Sequence, residues 1–139
     1  MFVESIELNN YRNFDSLKVE FSPGVNIFFG DNAQGKTNLL ESIYVSGTLR
    51  SHRGSRDKEL IRFGEDEAHI RLFFRKDSLS HRLDVHLKKN KSKGVAVDGV
   101  PVRRSGELLG MMHIVFFLRK ICRLLKKARR EEEDFLIWS

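Results

Sequence analysis

Eight consecutive residues, Gly30, Asp31, Asn32, Ala33, Gln34, Gly35, Lys36 and Thr37, fit the spacing G-x-x-x-x-G-K-[ST] at every fixed position. Each residue type there has a task in binding phosphate. The glycines permit backbone angles and close approaches that a side chain would block, and successive amide N–H groups turn inward to cradle phosphate oxygens. Lys36 places a positive charge against the β and γ phosphates, and Thr37 offers its hydroxyl to Mg²⁺. The chemistry this predicts is the binding of ATP with Mg²⁺.

Such a loop works only if its neighbours hold it. Residues 25–29 are apolar except for Asn26, too short for a helix, and read as a buried strand. From Lys36 onward Leu39, Leu40, Ile43 and Tyr44 repeat at helical spacing and stop before Gly47. A strand, a glycine loop and a helix therefore follow in order, and the helix start aims its positive dipole end at the anion. The bare pattern arises by chance in about one chain in 200 of this length; the flanking elements sharpen it. The bland alternative is a glycine-rich turn with a surface lysine.

Other elements follow from period and turn chemistry. Ile6 and Leu8 alternate with polar residues, as do Leu17, Val19 and Phe21, giving two half-buried strands around a polar turn over residues 11–16. Ala68, Ile70, Leu72 and Phe74, then Leu83, Val85 and Leu87, predict a hairpin closed by residues 76–80, and Asp98-Gly99 marks a second. Residues 112–117 read as another short buried strand, and residues 49–62 as a basic loop. The fold class expected is α/β, a mixed sheet with the phosphate loop at a strand-to-helix turn and an antiparallel hairpin layer.

Composition sets the outer bounds. The 139 residues are 40% hydrophobic and 32% charged, with 25 basic against 19 acidic side chains and a net charge of +6. Such a chain can build a core, which excludes wholesale disorder and collagen-like or disulfide-scaffold classes. Cys122 is alone, no run approaches eighteen apolar residues, and Glu4 and Glu7 sit where a leader would be basic. A soluble, cytoplasmic protein with acidic partners such as nucleotide or nucleic acid, and no membrane, is expected.

At the level of motifs the chain is similar to the RecF family of bacterial recombination mediators, whose head resembles the ABC and SMC ATPases. The residues that carry this are Leu8-Asn9-Asn10-Tyr11-Arg12-Asn13, Gly24-Val25-Asn26, the phosphate loop continued as Asn38-Leu39-Leu40-Glu41-Ser42-Ile43-Tyr44, Arg50-Ser51-His52-Arg53, and Asp57 onward to Gly64. The resemblance covers residues 1–117. It implies an ATP-dependent DNA-binding protein of recombinational repair, replication restart and the SOS response. It further implies single- and double-stranded DNA, RecO- and RecR-like partners and a recombinase as interactors, and a homodimer formed around ATP. Arg12 and Asn13 are then candidates near the nucleotide, with a plain turn role the alternative.

ABC-type hydrolysis also needs a second strand ending in an acidic pair and a Ser-containing signature segment. Neither is legible here, so an N-terminal piece of an ABC/SMC-like domain is expected over residues 1–117. Residues 118–139 hold seven basic and four acidic side chains, with Leu118, Ile121, Leu124 and Leu125 at helical spacing. Taken at face value that is a basic amphipathic helix. Family members instead continue here with Ser-Pro-Glu-Asp-Leu and later three arginines and Phe-Leu-Asp, and residues 118–139 can be back-translated so that a neighbouring frame encodes that pattern. The tail is expected to be frameshift-derived, without a packed place.

The histidines at 52, 69, 81, 86 and 113 show no metal-ligand spacing, so Thr37, through nucleotide-bound Mg²⁺, is the one metal contact expected. Arg50, Arg53 and Arg56 are candidates for DNA phosphates or simply a solvated face. Lys88, Lys89, Lys91 and Lys93 read as a charged hairpin tip. Two competing functions stand beside the first: a small P-loop kinase, and a basic nucleic-acid-binding module with an incidental glycine loop.

Overall fold

A computed structural model of the chain describes residues 1–30, 35–116 and the backbone of residues 135–138. Asp31, Asn32, Ala33, Gln34 and residues 117–134, with Cys122 and the expected basic helix, lie outside the described residues. Among the described residues no helix is long and apolar enough to cross a membrane.

Two long antiparallel pairs build the main sheet. Strands β1 (Phe2–Tyr11) and β2 (Phe14–Glu20) are joined by Arg12 and Asn13, so the turn is much tighter than the polar stretch expected. Strands β4 (Glu67–Lys76) and β5 (Leu79–Lys88) are joined by Asp77 and Ser78, both at positive φ, as a two-residue hairpin loop requires. Strands β6 (Gly94–Val97) and β7 (Val100–Pro101) close on Asp98-Gly99 as the sequence predicts. The order is β2-β1-β4-β5-β6-β7, and every described pairing is antiparallel, where a mixed sheet was expected. Short loops enforce this within the hairpins β1–β2, β4–β5 and β6–β7, because a parallel pair needs a long crossover.

Alternation then makes the core. Ile6, Leu8, Ala68, Ile70, Leu72, Phe74, Leu83, Val85 and Leu87 all point to one face and are buried there. Against that face pack helix α1 (Lys36–Thr48), the single helical turn α2 (Asp57–Leu60) and the short helix α3 (Ser105–Leu109). The turn α2 lies within the stretch expected to be loop, and forms because buried Leu60 needs a place on the core.

Three details depart from the periodic reading. Helix α1 does not stop before Gly47: a Cβ there would stand 2.2 Å from Ile114 Cδ1, so glycine admits the returning chain. Residues 112–116 are not a strand; Met112 is buried and Ile114 packs against the core from irregular backbone, while Val115 is exposed. Strand β3 (Val25–Phe28) is not buried on both faces, since Val25 and Ile27 are exposed, as is Phe29 just beyond it, while Phe28 meets the Phe21 ring edge-on. It pairs antiparallel with strand β8 (Phe135–Trp138), so this part of the tail has a partner strand, contrary to expectation.

Candidate functional site

Strand β3 ends at Phe28 and helix α1 begins at Lys36, so the described ends of the phosphate loop sit in the strand-loop-helix setting. Gly35 caps α1 in the left-handed region, φ 83°, and its carbonyl accepts the first helical bond from Leu39 N–H at 2.9 Å. A Cβ on Gly35 would lie 2.6 Å from Phe14 Cζ and 2.9 Å from Asn13 Nδ2. Both its angle and its neighbours therefore demand glycine. The Lys36 ammonium donates to the Gly30 carbonyl, closing the loop on itself.

The β1–β2 turn is the other wall. Asn38 Nδ2 donates to Asn13 Oδ1 at 2.7 Å, and Arg53 donates to Asn38 Oδ1 at 2.7 Å. Arg12, held at φ 52°, sends its guanidinium under α1, where Nε and Nη2 each donate to a different Glu41 oxygen at 2.9 Å. The same guanidinium donates to the Glu59 carbonyl at 3.0 Å and to Ser55 Oγ at 2.8 Å. Residues 60–62 pair with the end of β1, through Arg12 N–H to Leu60 O and Arg62 N–H to Asn10 O, both 2.8 Å, which brings the basic segment to the site.

Glu41 is the centre of this arrangement. Its side chain is fully buried on α1 and also accepts from Ser51 Oγ at 2.5 Å, with an Arg53 nitrogen at 3.5 Å. Burial alone would push its carboxyl up, but the hydrogen bonds from Arg12 and Ser51, with the charges of Arg12 and Arg53, outweigh that and hold it below the usual carboxylate range. Beside it, burial first and the Glu41 charge second push the Tyr11 hydroxyl far above its ordinary value. The Arg12 guanidinium, although burial opposes its charge, is held more basic by Glu41.

Sequence reasoning singled out Arg12 and Asn13 but missed Glu41, Ser51 and Ser55 as their partners. One signal was available: a lone acidic residue between Leu40 and Ile43, inside the apolar stripe of a short helix, has to find a buried partner. All three arginines expected at DNA are exposed, and Arg53 is in addition engaged with Asn38 and Glu41. Lys93 also departs from the hairpin-tip reading: its ammonium donates to the Leu49 carbonyl, 2.6 Å, and to Asp57, 2.9 Å, at the end of α1.

A glycine-capped helix start after a strand, a lysine on that first turn and a phosphate-loop signature define the class of P-loop nucleotide-binding domains. The family model described as AAA domain matches residues 5–132, and the chain belongs to this family. Within it, the chain is 50% identical over 136 residues to the DNA replication and repair protein RecF of Lachnoclostridium phytofermentans and 51% identical to that of Lachnospira eligens. Each alignment covers 98% of this chain and 38% of the relative, so the chain spans little more than a third of those proteins.

Among solved structures, the recombination mediator protein RecF with ATP, of the RecFOR pathway, superposes at a TM-score of 0.81 with 35% identity, over 91% of this chain and 35% of that one. A structure from a study of ATP-driven dimerization and DNA-stimulated activation of SMC ATPases shares the fold at a TM-score of 0.77 with 18% identity, over 92% of this chain and 93% of that one. The α/β nucleotide-binding fold expected from the sequence is thus borne out. Both the family match and the RecF alignments run past residue 117, where the motif resemblance ended.

Proposed function

We propose that this chain binds ATP with Mg²⁺ and, through that, DNA, as the nucleotide-binding part of a RecF-like protein of recombinational repair and replication restart. The observation that carries the reading is the joint between Gly35 and the Asn13–Phe14 turn, which ties the phosphate loop to a second motif shared with that family. The cradle fits a triphosphate: a left-handed glycine, the first-turn amides of α1, which have no partner within the helix, and an ammonium now resting on a loop carbonyl, which a phosphate oxygen can replace. ATP with Mg²⁺, when bound, would supply the charge and the anhydride; Gly30, Asp31, Asn32, Ala33, Gln34 and Gly35 would hold its phosphates, Lys36 would neutralise them and Thr37 would offer its hydroxyl to the metal.

Arg12, Asn13, Asn38 and Arg53 make a polar rim beside the loop. Their role is to set the position of the turn against α1, so that occupancy of the loop is felt at the basic segment 50–62. Arg50, Arg53 and Arg56 are the proposed DNA phosphate contacts, with little base preference. An ATP-dependent homodimer, RecO- and RecR-like partners, a recombinase, a part in the SOS response and a cytoplasmic location belong to the same reading.

Calorimetry with MgATP tests it. The wild-type chain should bind at one site, and Lys36→Ala should lose that binding while keeping the wild-type circular dichroism. Equal affinity in both chains overturns the proposal. Phosphate transfer to a small metabolite would instead favour the kinase.

A further inference from the structure

Away from the phosphate loop, the outer face of the sheet carries two histidines and a carboxylate that the nucleotide site does not use. His69 on β4 stands directly opposite His86 on β5 in the antiparallel register, on the solvent face, because their neighbours Ala68, Ile70, Val85 and Leu87 all point into the core. Their rings stack at 4.0 Å between centroids with 24° between planes. Glu67, two residues before His69 and so on the same face, places Oε2 at 2.8 Å from His86 Nε2. One ligand atom from each of the three lies within 4.8 Å of the others.

We propose that Glu67, His69 and His86 form a binding site for a divalent transition-metal ion of the zinc class. Two imidazole nitrogens suit ions of this class rather than Mg²⁺, and a carboxylate oxygen is a ligand zinc also accepts. Zinc sits about 2.0–2.2 Å from both atom types, so ligand atoms around one tetrahedral ion stand roughly 3.4 Å apart. The strand register already fixes the three Cβ positions, and Glu67 and His69 are exposed, so the adjustment from the present separations falls to side-chain rotation rather than to the backbone. Two near-parallel imidazoles on paired strands can turn the same edge toward one ion, and Gly94, opposite His86 on the next strand, leaves the space beside that ring free of a side chain.

Three protein ligands leave one tetrahedral position for water or for a ligand from outside the chain. The site therefore ties β4 to β5 and presents a Lewis-acidic ion on the sheet surface. Its surroundings temper the affinity: Lys88 lies opposite Glu67, while the nearby Arg71 is itself paired with Asp84 at 2.7 Å. The sequence hid this site because the two histidines stand 17 positions apart and only the hairpin brings them together.

The experiment is a titration of the metal-free 139-residue chain with zinc chloride, followed by calorimetry and by thermal unfolding, in wild type, His69→Gln, His86→Gln, Glu67→Gln and, as a control, His113→Gln. Wild type and the control should bind one zinc ion saturably and unfold at a higher temperature with zinc than without. Loss of a direct ligand should exceed the 10–100-fold known for outer partners, so each histidine variant should weaken binding by about 100-fold or more. Each variant's zinc-induced shift is read against its own metal-free melting temperature, since the substitutions also remove the Glu67–His86 contact and the ring stack. Absence of saturable zinc binding in wild type, or binding of unchanged strength in the two histidine variants, overturns the proposal.

Discussion

Arg12 and Glu41, 29 residues apart, meet as a two-pronged ion pair with both bonds at 2.9 Å, the carboxylate fully buried and the guanidinium about four-fifths so. The first belongs to the β1–β2 turn and the second to the helix that carries Lys36. The pair therefore fastens the turn to the phosphate-loop helix, and it does so away from water, where an unmatched charge is costly.

Removing one partner should reveal that cost. Arg12→Ala strands the Glu41 carboxylate, and a loss of about 3 kcal/mol is expected, the low end for a broken buried pair because Ser51 and Arg53 remain. Adding Glu41→Gln to Arg12→Ala should cost much less than Glu41→Gln alone. Urea unfolding of the four chains as a double-mutant cycle measures this; additive losses would show that the two residues are not coupled.

The same carboxylate should make stability acid-sensitive. Its folded pKa lies below the ordinary 4.5, so its contribution is complete above that value and drains away as pH falls through the folded pKa. The stability difference between wild type and Glu41→Gln should be constant near neutral pH and shrink below about pH 4.5. A difference unchanged from neutral to strongly acidic pH contradicts the assignment.

Glycine at 35 is required twice over. Gly35→Ala must hold alanine at φ 83° and push Phe14 or Asn13 aside, whereas Gly64→Ala meets only the backbone penalty, since nothing lies near its Cβ position. The expected costs are about 3 kcal/mol and about 1 kcal/mol. MgATP affinity should fall at least about tenfold in the first and stay unchanged in the second. Equal effects at the two positions would show that the Asn13–Phe14 neighbours add nothing to the backbone penalty.

DNA binding should fall steeply with salt and vary little with sequence. Replacing Arg50, Arg53 and Arg56 together by alanine should weaken it and flatten the salt slope by about one for each phosphate no longer neutralised. Arg53→Ala alone should also lower stability, because that guanidinium serves Asn38 and Glu41, while Arg50→Ala should not. Anisotropy with labelled single- and double-stranded oligonucleotides reads this out, and unchanged binding by the triple variant reduces the arginines to a solvated face.

Residues 118–139 carry a prediction about the gene. The frame next to the one translated after Phe117 should encode the Ser-Pro-Glu-Asp-Leu and triple-arginine pattern. Reading the coding DNA decides it, and a neighbouring frame without that pattern makes residues 118–139 the chain's own continuation.

Local sequence determined what depends on neighbours along the chain. Period two fixed which side of β1, β4 and β5 faces the core; Asp98-Gly99 set a hairpin because those residues accept positive φ; and the glycine and lysine spacing carries the phosphate-loop signature between a strand and a helix. The tertiary structure decided what depends on neighbours across it. Glu41 is charged in a buried helix stripe only because Arg12, Ser51 and Arg53 arrive from two other segments to offset its desolvation. Gly47 lets α1 continue because Ile114 returns against it, and His69 meets His86 because register pairs them. Turn chemistry and periodicity are written within a few residues, whereas desolvation, close packing and cross-strand pairing are set by whichever distant segment fills the space.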